Sequence, residues 1–296
     1  AELDAVKAAA LPLVGDARVT LDELTEALEA RAWGGTAPAY REHIERLRLE
    51  WHGEADRVRR LPAATHVSQP EIIRLVNEAL GDDGIVVCAA GGLPGDMHKL
   101  WRAGTADSYH MEYGNSTMGY EIAGGLGVAL AEPGRRVHVM VGDGSYLMLA
   151  NEIVTARQEG IGLTIVVLDN HGYRCIRNLA HACGSDTPFN DFRARDPGTG
   201  TFDGEVLPID LAANARSLGA TVFEAATPEE LSAMLAQARS VTDRPAVIVV
   251  ETNPEPGVPD YDSWWDVPVA EVSASDRVRA ARETYEANLT RERTFV

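Results

Sequence analysis

The 296 residues predict an α/β chain: a parallel sheet with helices on both faces, plus a short N-terminal helical segment. Three observations carry this. Short apolar runs recur from about residue 63 onward, and amphipathic stretches alternate with them, as in a sheet covered on both faces. The composition, 45% hydrophobic and 24% charged, is that of a chain able to bury a sizeable core.

In chain order, residues 1–62 stand apart and read as an attached remnant or arm. Thr20, with Glu23 three residues on, has the spacing of a capping box for a first helix. A second helix, about 39–60, carries Ile44, Leu47, Leu49 and Trp51 among many charges. Its basic cluster, Arg57, Arg59 and Arg60, reads as the solvated end of a short helix. Residues 63–296 form the sheet domain with a C-terminal arm. Strands are expected at Ile85–Ala89, Val137–Val141, Thr164–Leu168, Thr221–Glu224 and Ala246–Glu251. Helices are expected near 69–80, 117–131, 146–158, 209–218, 228–240 and 270–288. Gly124-Gly125-Leu126-Gly127 lacks the full Gly-x-Gly-x-x-Gly spacing and lies in a helical stretch, so it reads as close helix packing. The interval 174–208 has no clear period and is a candidate mobile functional loop.

Charge excludes one class of partner. With 27 basic and 45 acidic side chains the net charge is −18, the wrong sign for neutralising phosphates, so no nucleic-acid role is expected. No stretch approaches the roughly 18 apolar residues of a membrane span, and no signal peptide is visible. The three cysteines are too few for a disulfide framework and fit a reducing, cytoplasmic setting. The first residue, Ala1, is not a methionine, which leaves open whether the text is a whole protein or part of one.

The chemistry concentrates between Val137 and Gly172. One strand runs into Gly142-Asp143-Gly144-Ser145, a helix follows from about Tyr146, and the next strand ends in Asp169-Asn170-His171-Gly172. A strand–helix–strand crossover brings both strand ends to the same edge of a parallel sheet, where such sheets bind ligands. The Asp143 carboxylate, the Asn170 amide oxygen and the Gly172 carbonyl then share a point. These are hard oxygen donors suited to magnesium or calcium, and they leave about three octahedral positions for phosphate oxygens and water. Gly144 and Ser145, opening the helix, offer N–H groups to an anion. The reading is a metal-bridged diphosphate site.

Gly142-Asp143-Gly144, with Asn170 placed 27 residues after Asp143, resembles the thiamine-diphosphate-binding signature. The resemblance implies magnesium on Asp143, Asn170 and Gly172, with Gly144, Ser145 and Tyr146 at the cofactor. Tyr113-Gly114-Asn115-Ser116-Thr117-Met118-Gly119-Tyr120 looks like the segment that cradles the cofactor rings. By that match Met118 supports the bent cofactor and the Ser116 carbonyl faces the aminopyrimidine. Many relatives have glycine where Ser116 stands.

Within this superfamily, Ala90-Gly91-Gly92-Leu93-Pro94-Gly95-Asp96-Met97-His98-Lys99 resembles the trihydroxycyclohexane-dione hydrolases of inositol catabolism, which implies cofactor contacts from Gly91 and Gly92. His110–Gly114, Met118–Glu121, Ser263-Trp264-Trp265 and Val269–Ser273 are similar to that family too, and Val14–Ala17 resembles the end of its central domain. The resemblance implies hydrolysis of a carbon–carbon bond in a cyclic, cyclitol-derived diketone. The runner-up is carboligation of the acetolactate-synthase kind on a 2-keto acid.

In that family a glutamate from a separate pyrimidine-binding domain activates the cofactor. No second α/β domain is legible before residue 63. The chain is therefore expected to be one half of a split enzyme, in a hetero-oligomer built on a dimer, or a fragment of a longer chain. A non-catalytic cofactor-binding or scaffold subunit is the reading from another class. His98 and His110 are candidates for diphosphate or substrate contact, with a hydrogen-bonded structural role as the alternative. Glu112 and Glu121 are acid–base groups or structural pairs. Cys88 and Cys175 read as inert thiols, and Trp264-Trp265 as packing for the C-terminal arm or as lining of the entrance.

Overall fold

The computed structural model describes residues 12–185, 189–253, 255–259, 261 and 267–291. Two compact units emerge, one of residues 1–52 with 266–296 and one of residues 53–265. This grouping places residues 53–62 with the sheet because Ala55 and Val58 belong to its core. It places the C-terminal helix with the N-terminal segment, whereas the sequence division falls at residue 62.

The first unit contains α1 (Ala17–Ala30) and most of α2 (Pro38–Val58). Asp16, not Thr20, caps α1: its Oδ1 accepts the Val19 N–H at 3.0 Å, so the helix starts before the expected capping box. The end of α2 corrects a second expectation. Arg59 is only 4% exposed and donates to Asn77 Oδ1 at 3.3 Å, because Val58 beside it enters the core and draws the chain inward.

The second unit continues with β1 (Val67–Ser68), α3 (Gln69–Leu80), β2 (Ile85–Cys88), α4 (Gly92–Leu100), β3 (Tyr109–Met111) and α5 (Tyr120–Ala131). Then come β4 (Val137–Gly142), α6 (Asp143–Met148), α7 (Glu152–Gln158), β5 (Thr164–Asp169) and α8 (Arg174–Ala182). It closes with α9 (Leu211–Ser217), β6 (Thr221–Ala225), α10 (Pro228–Ala238) and β7 (Ala246–Asn253), and α11 (Asp276–Leu289) follows in the first unit. All ladders are parallel. The order is β1-β7-β5-β4-β2-β3, with β6 also paired to β7.

Period-two alternation divides the buried strand residues between two cores. Val86, Cys88, Met140, Val166, Leu168, Ile248 and Val250 pack on one face with α3, α4 and α10. Ile85, Val87, Val139, Val141, Ile165, Val167 and Val247 pack on the other with α5, α7 and α9. Both faces being covered, each strand reads as a continuous apolar run. Gly125 holds α5 close to the sheet, since a Cβ there would overlap Val139 Cγ2.

Five departures from expectation stand out. β1 and β3 are too short to show a run. The helix expected at 146–158 is two, α6 and α7, because Leu149 leaves helical backbone with φ −154° and ψ 70°. The interval expected as loop from 174 opens with α8, and α4 also went unread. Among the described residues no helix is long and apolar enough to cross a membrane.

Candidate functional site

The strand order places a switch point between β2 and β4. From β2 the chain crosses to β3 on one side, whereas β4 leads to β5 and β7 on the other. The crevice beyond the carboxyl ends of such neighbours is where open α/β sheets take ligands. The loop after β2 carries Ala90, Gly91 and Gly92, Asp143 follows β4, and Asn170 follows β5.

Asp143 sits at the first residue of α6, 1% exposed, and organises the turn after β5. Its Oδ2 accepts the N–H groups of Asn170 at 3.2 Å and Gly172 at 3.0 Å, and its Oδ1 accepts that of Gly144 at 2.8 Å. These bonds bring residues 143, 170 and 172 to one point. His171 between them takes a left-handed φ of 59°, which turns the chain back on Asp143. The turn is further held by the His171 N–H on Asp169 Oδ1 at 3.2 Å, with His171 Nδ1 3.1 Å from the same oxygen.

Two features fit a cation here. Asn170 Oδ1 is buried with no hydrogen-bond partner, a state that costs about 1–3 kcal/mol unless something fills it. Burial pushes the Asp143 carboxyl well above the ordinary carboxylate range, and the neighbouring Asp169 charge adds to the shift. A bound cation relieves both. A carboxylate has roughly four acceptor positions, of which three N–H groups take three, leaving room for a metal bond. No cluster of three or more His, Cys, Asp or Glu suited to a metal occurs among the described residues.

Around this point the structure sets the remaining predicted residues. Gly144 lies under the Tyr173 ring, where a Cβ would come within 2.7 Å of Cδ1. Ser145 is 4% exposed and gives its hydroxyl proton to Glu121 at 2.8 Å. Gly91, at φ 89°, caps α4, and Gly92 opens it. Ser116 is exposed with φ 50°, and Met118 is half-buried. The Tyr146 ring is fully buried in the core and its hydroxyl donates to Asn214 Oδ1 at 2.9 Å, which leaves its backbone for a cofactor contact.

The glutamates are structural pairs. Glu112 accepts the N–H groups of Asn115 at 3.1 Å and Thr117 at 2.8 Å, which folds the cradle segment. Glu121 accepts those of Ala90 at 3.2 Å and Gly119 at 3.0 Å in addition to Ser145. Both histidines are engaged with tyrosines. His110 Nε2 lies 2.7 Å from Tyr120 Oη with the rings stacked, and His98 sits between Tyr109 and Tyr113. Burial pushes the Cys88 thiol well up and raises Cys175 as well, which lowers the thiolate share of each. Ser263, Trp264 and Trp265 lie outside the described residues.

Sequence reasoning missed Tyr173 over Gly144, Asp169 beside Asp143, and the convergence on Glu121. Only the last had a signal: Glu121 is the one charged side chain in the otherwise apolar, glycine-containing helix α5.

Residues 89–250 match the family model described as thiamine pyrophosphate enzyme, C-terminal TPP binding domain. The chain belongs to the thiamine pyrophosphate enzyme family. The matched span runs from the end of β2 into β7, so this TPP-binding domain contains both strand ends that carry Asp143 and Asn170. The 3D-(3,5/4)-trihydroxycyclohexane-1,2-dione hydrolase of Geobacillus thermodenitrificans (strain NG80-2) is 36% identical over 317 residues, covering 99% of this chain and 49% of that protein. The protein of the same name from Bacillus thuringiensis (strain Al Hakam) is 41% identical over 231 residues, covering 78% and 36%. The TPP-binding chain thus spans at most about half the length of these curated relatives and matches their C-terminal half. Among solved structures, the thiamine diphosphate-dependent 4-hydroxybenzoylformate decarboxylase of Rhodococcus jostii RHA1 shares the fold, with a TM-score of 0.57, 23% identity, and coverage of 67% of this chain and 34% of that one.

Proposed function

We propose that this chain is the diphosphate- and magnesium-binding half of a thiamine-diphosphate-dependent enzyme that hydrolyses a carbon–carbon bond of a cyclic, cyclitol-derived diketone. The observation that carries the site is the buried, unpartnered Asn170 Oδ1 beside Asp143. In this reading Asp143, Asn170 Oδ1 and the Gly172 carbonyl hold Mg2+. The Ser145 backbone N–H faces the diphosphate, Gly144, whose own N–H is held by Asp143, lies against it, and Gly91, Gly92, Ser116 and Met118 border the cofactor. The bound cofactor supplies the electron sink that the cleavage needs. The chain's own residues bind and orient it, and the apolar core under α6 keeps water from the buried Asp143.

The substrate class rests on relatives of 35–41% identity that carry the dione hydrolase name. The activating glutamate is assigned to a pyrimidine-binding domain on a partner chain, in a hetero-oligomer built on a dimer. The match to about half the relatives' length supports that assignment. The setting assigned is the cytoplasm, which suits three free cysteines.

The test reconstitutes the chain with whatever protein co-purifies with it, adds thiamine diphosphate and Mg2+, and supplies trihydroxycyclohexane-1,2-dione or pyruvate. Ring-opened acid from the dione is expected. Acetoin-type products from pyruvate overturn the hydrolase reading in favour of a carboligase. Unchanged activity with Asp143→Ala in the complex marks the chain as a scaffold.

A further inference from the structure

Glu121 lies in the first turn of α5 and is 1% exposed; burial pushes its carboxyl above the ordinary range, and the donors around it pull the other way. Donors from the backbone and from Ser145 converge on it. Oε1 accepts the Ala90 N–H at 3.2 Å, Oε2 accepts the Gly119 N–H at 3.0 Å, and the Ser145 hydroxyl lies 2.8 Å from each oxygen. The Gly119 N–H also reaches Ser145 Oγ, at 2.8 Å.

The three donors come from three separate segments: the loop after β2, the turn before α5, and the start of α6. Each is the immediate neighbour of a residue assigned to the cofactor: Ala90 precedes Gly91, Gly119 follows Met118, and Ser145 follows Gly144. A carboxylate accepts from all three donors at once, whereas an amide would turn its NH2 toward one of them. Burying a carboxyl is costly unless its oxygens are hydrogen-bonded, and here the bonds that offset the cost tie three segments together.

We propose that Glu121 is the positioning residue of the diphosphate site, locking the segments around Gly91, Met118 and Gly144 into one rigid cradle. The proposal deepens the diphosphate reading given above and rests on it. A proton count adds a consequence. Ser145 has one hydroxyl proton, which goes to Glu121, and its oxygen already accepts from Gly119. The Ser145 side chain therefore has no donor to offer an anion. What this segment presents to a diphosphate is backbone N–H, and Glu121 fixes the direction in which it points.

The experiment uses the 296-residue chain and inorganic pyrophosphate with MgCl2, titrated calorimetrically, with thermal melts of every variant alongside. Glu121→Gln places an amide NH2 against an N–H or O–H donor and is expected to weaken magnesium pyrophosphate at least tenfold. Ser145→Ala leaves both backbone donors on Glu121 and carries the test if Glu121→Gln does not fold; it is expected to weaken binding by a smaller factor. The double variant should bind no more weakly than Glu121→Gln alone, because both changes break the same bond. Folded variants with lowered melting points but wild-type affinity overturn the proposal, leaving Glu121 a brace for the fold. A wild-type chain that binds no magnesium pyrophosphate is a different result: it overturns the diphosphate reading, and the role of Glu121 with it.

Discussion

Truncating a buried polar side chain normally destabilises a protein, yet Asn170→Ala is expected to do the reverse or nothing in the absence of metal. Asn170 Oδ1 is buried and makes no hydrogen bond, so the wild-type chain bears about 1–3 kcal/mol for that desolvated acceptor. Alanine removes the penalty along with a few van der Waals contacts, for a net change within about 1 kcal/mol. The Asn170 backbone N–H on Asp143, at 3.2 Å, is untouched. With magnesium and pyrophosphate the order inverts. Ligand at about 100 times its dissociation constant stabilises the wild type by about 2.7 kcal/mol, or roughly 5–11 °C for a unit of this size. The variant is expected to lose that gain. Thermal melts in EDTA and in magnesium pyrophosphate check both halves. An Asn170→Ala melting point more than about 4 °C below wild type in EDTA, or a wild-type ligand shift, refutes the reasoning.

Further outcomes follow from single residues. His138 is buried with Nδ1 unpartnered, and burial, with the Arg136 and Arg239 charges, pushes its imidazole down to about 3. The unfolded chain takes up that proton near pH 6.5 and the native chain does not. The associated stability is fully present above pH 6.5 and falls by up to about 1.4 kcal/mol per pH unit as pH drops toward 3. His138→Leu should flatten that part of the pH–stability curve relative to wild type, and identical slopes would count against it. Tyr146→Phe should cost about 1 kcal/mol through the lost bond to Asn214 and leave magnesium pyrophosphate affinity unchanged; a changed affinity would return the side chain to the site. Gly125→Ala should cost about 1–3 kcal/mol in denaturant melts, because its Cβ overlaps Val139 where α5 meets β4.

Much of this molecule is legible in its text because the physics behind it is local. Short β-branched runs such as Thr164–Leu168 favour buried strands, and their separation by amphipathic helices favours parallel pairing on neighbouring strands. That is why Asp143 and Asn170, 27 positions apart, could be placed together before any coordinates. The short strands β1 and β3 escaped because two or three residues carry no periodicity.

The sequence by itself determined the fold, the pairing of metal-ligand candidates, and the half-sized match to its relatives, since each depends on residue type and spacing. Only the tertiary structure decided which polar atoms are satisfied. Asn170 Oδ1 is left without a partner, Tyr146 turns into the core, Arg59 is buried, and Glu121 gathers donors from three segments. Those facts turn on distances between segments remote in the chain, and a hydrogen bond is made or lost within a few tenths of an ångström.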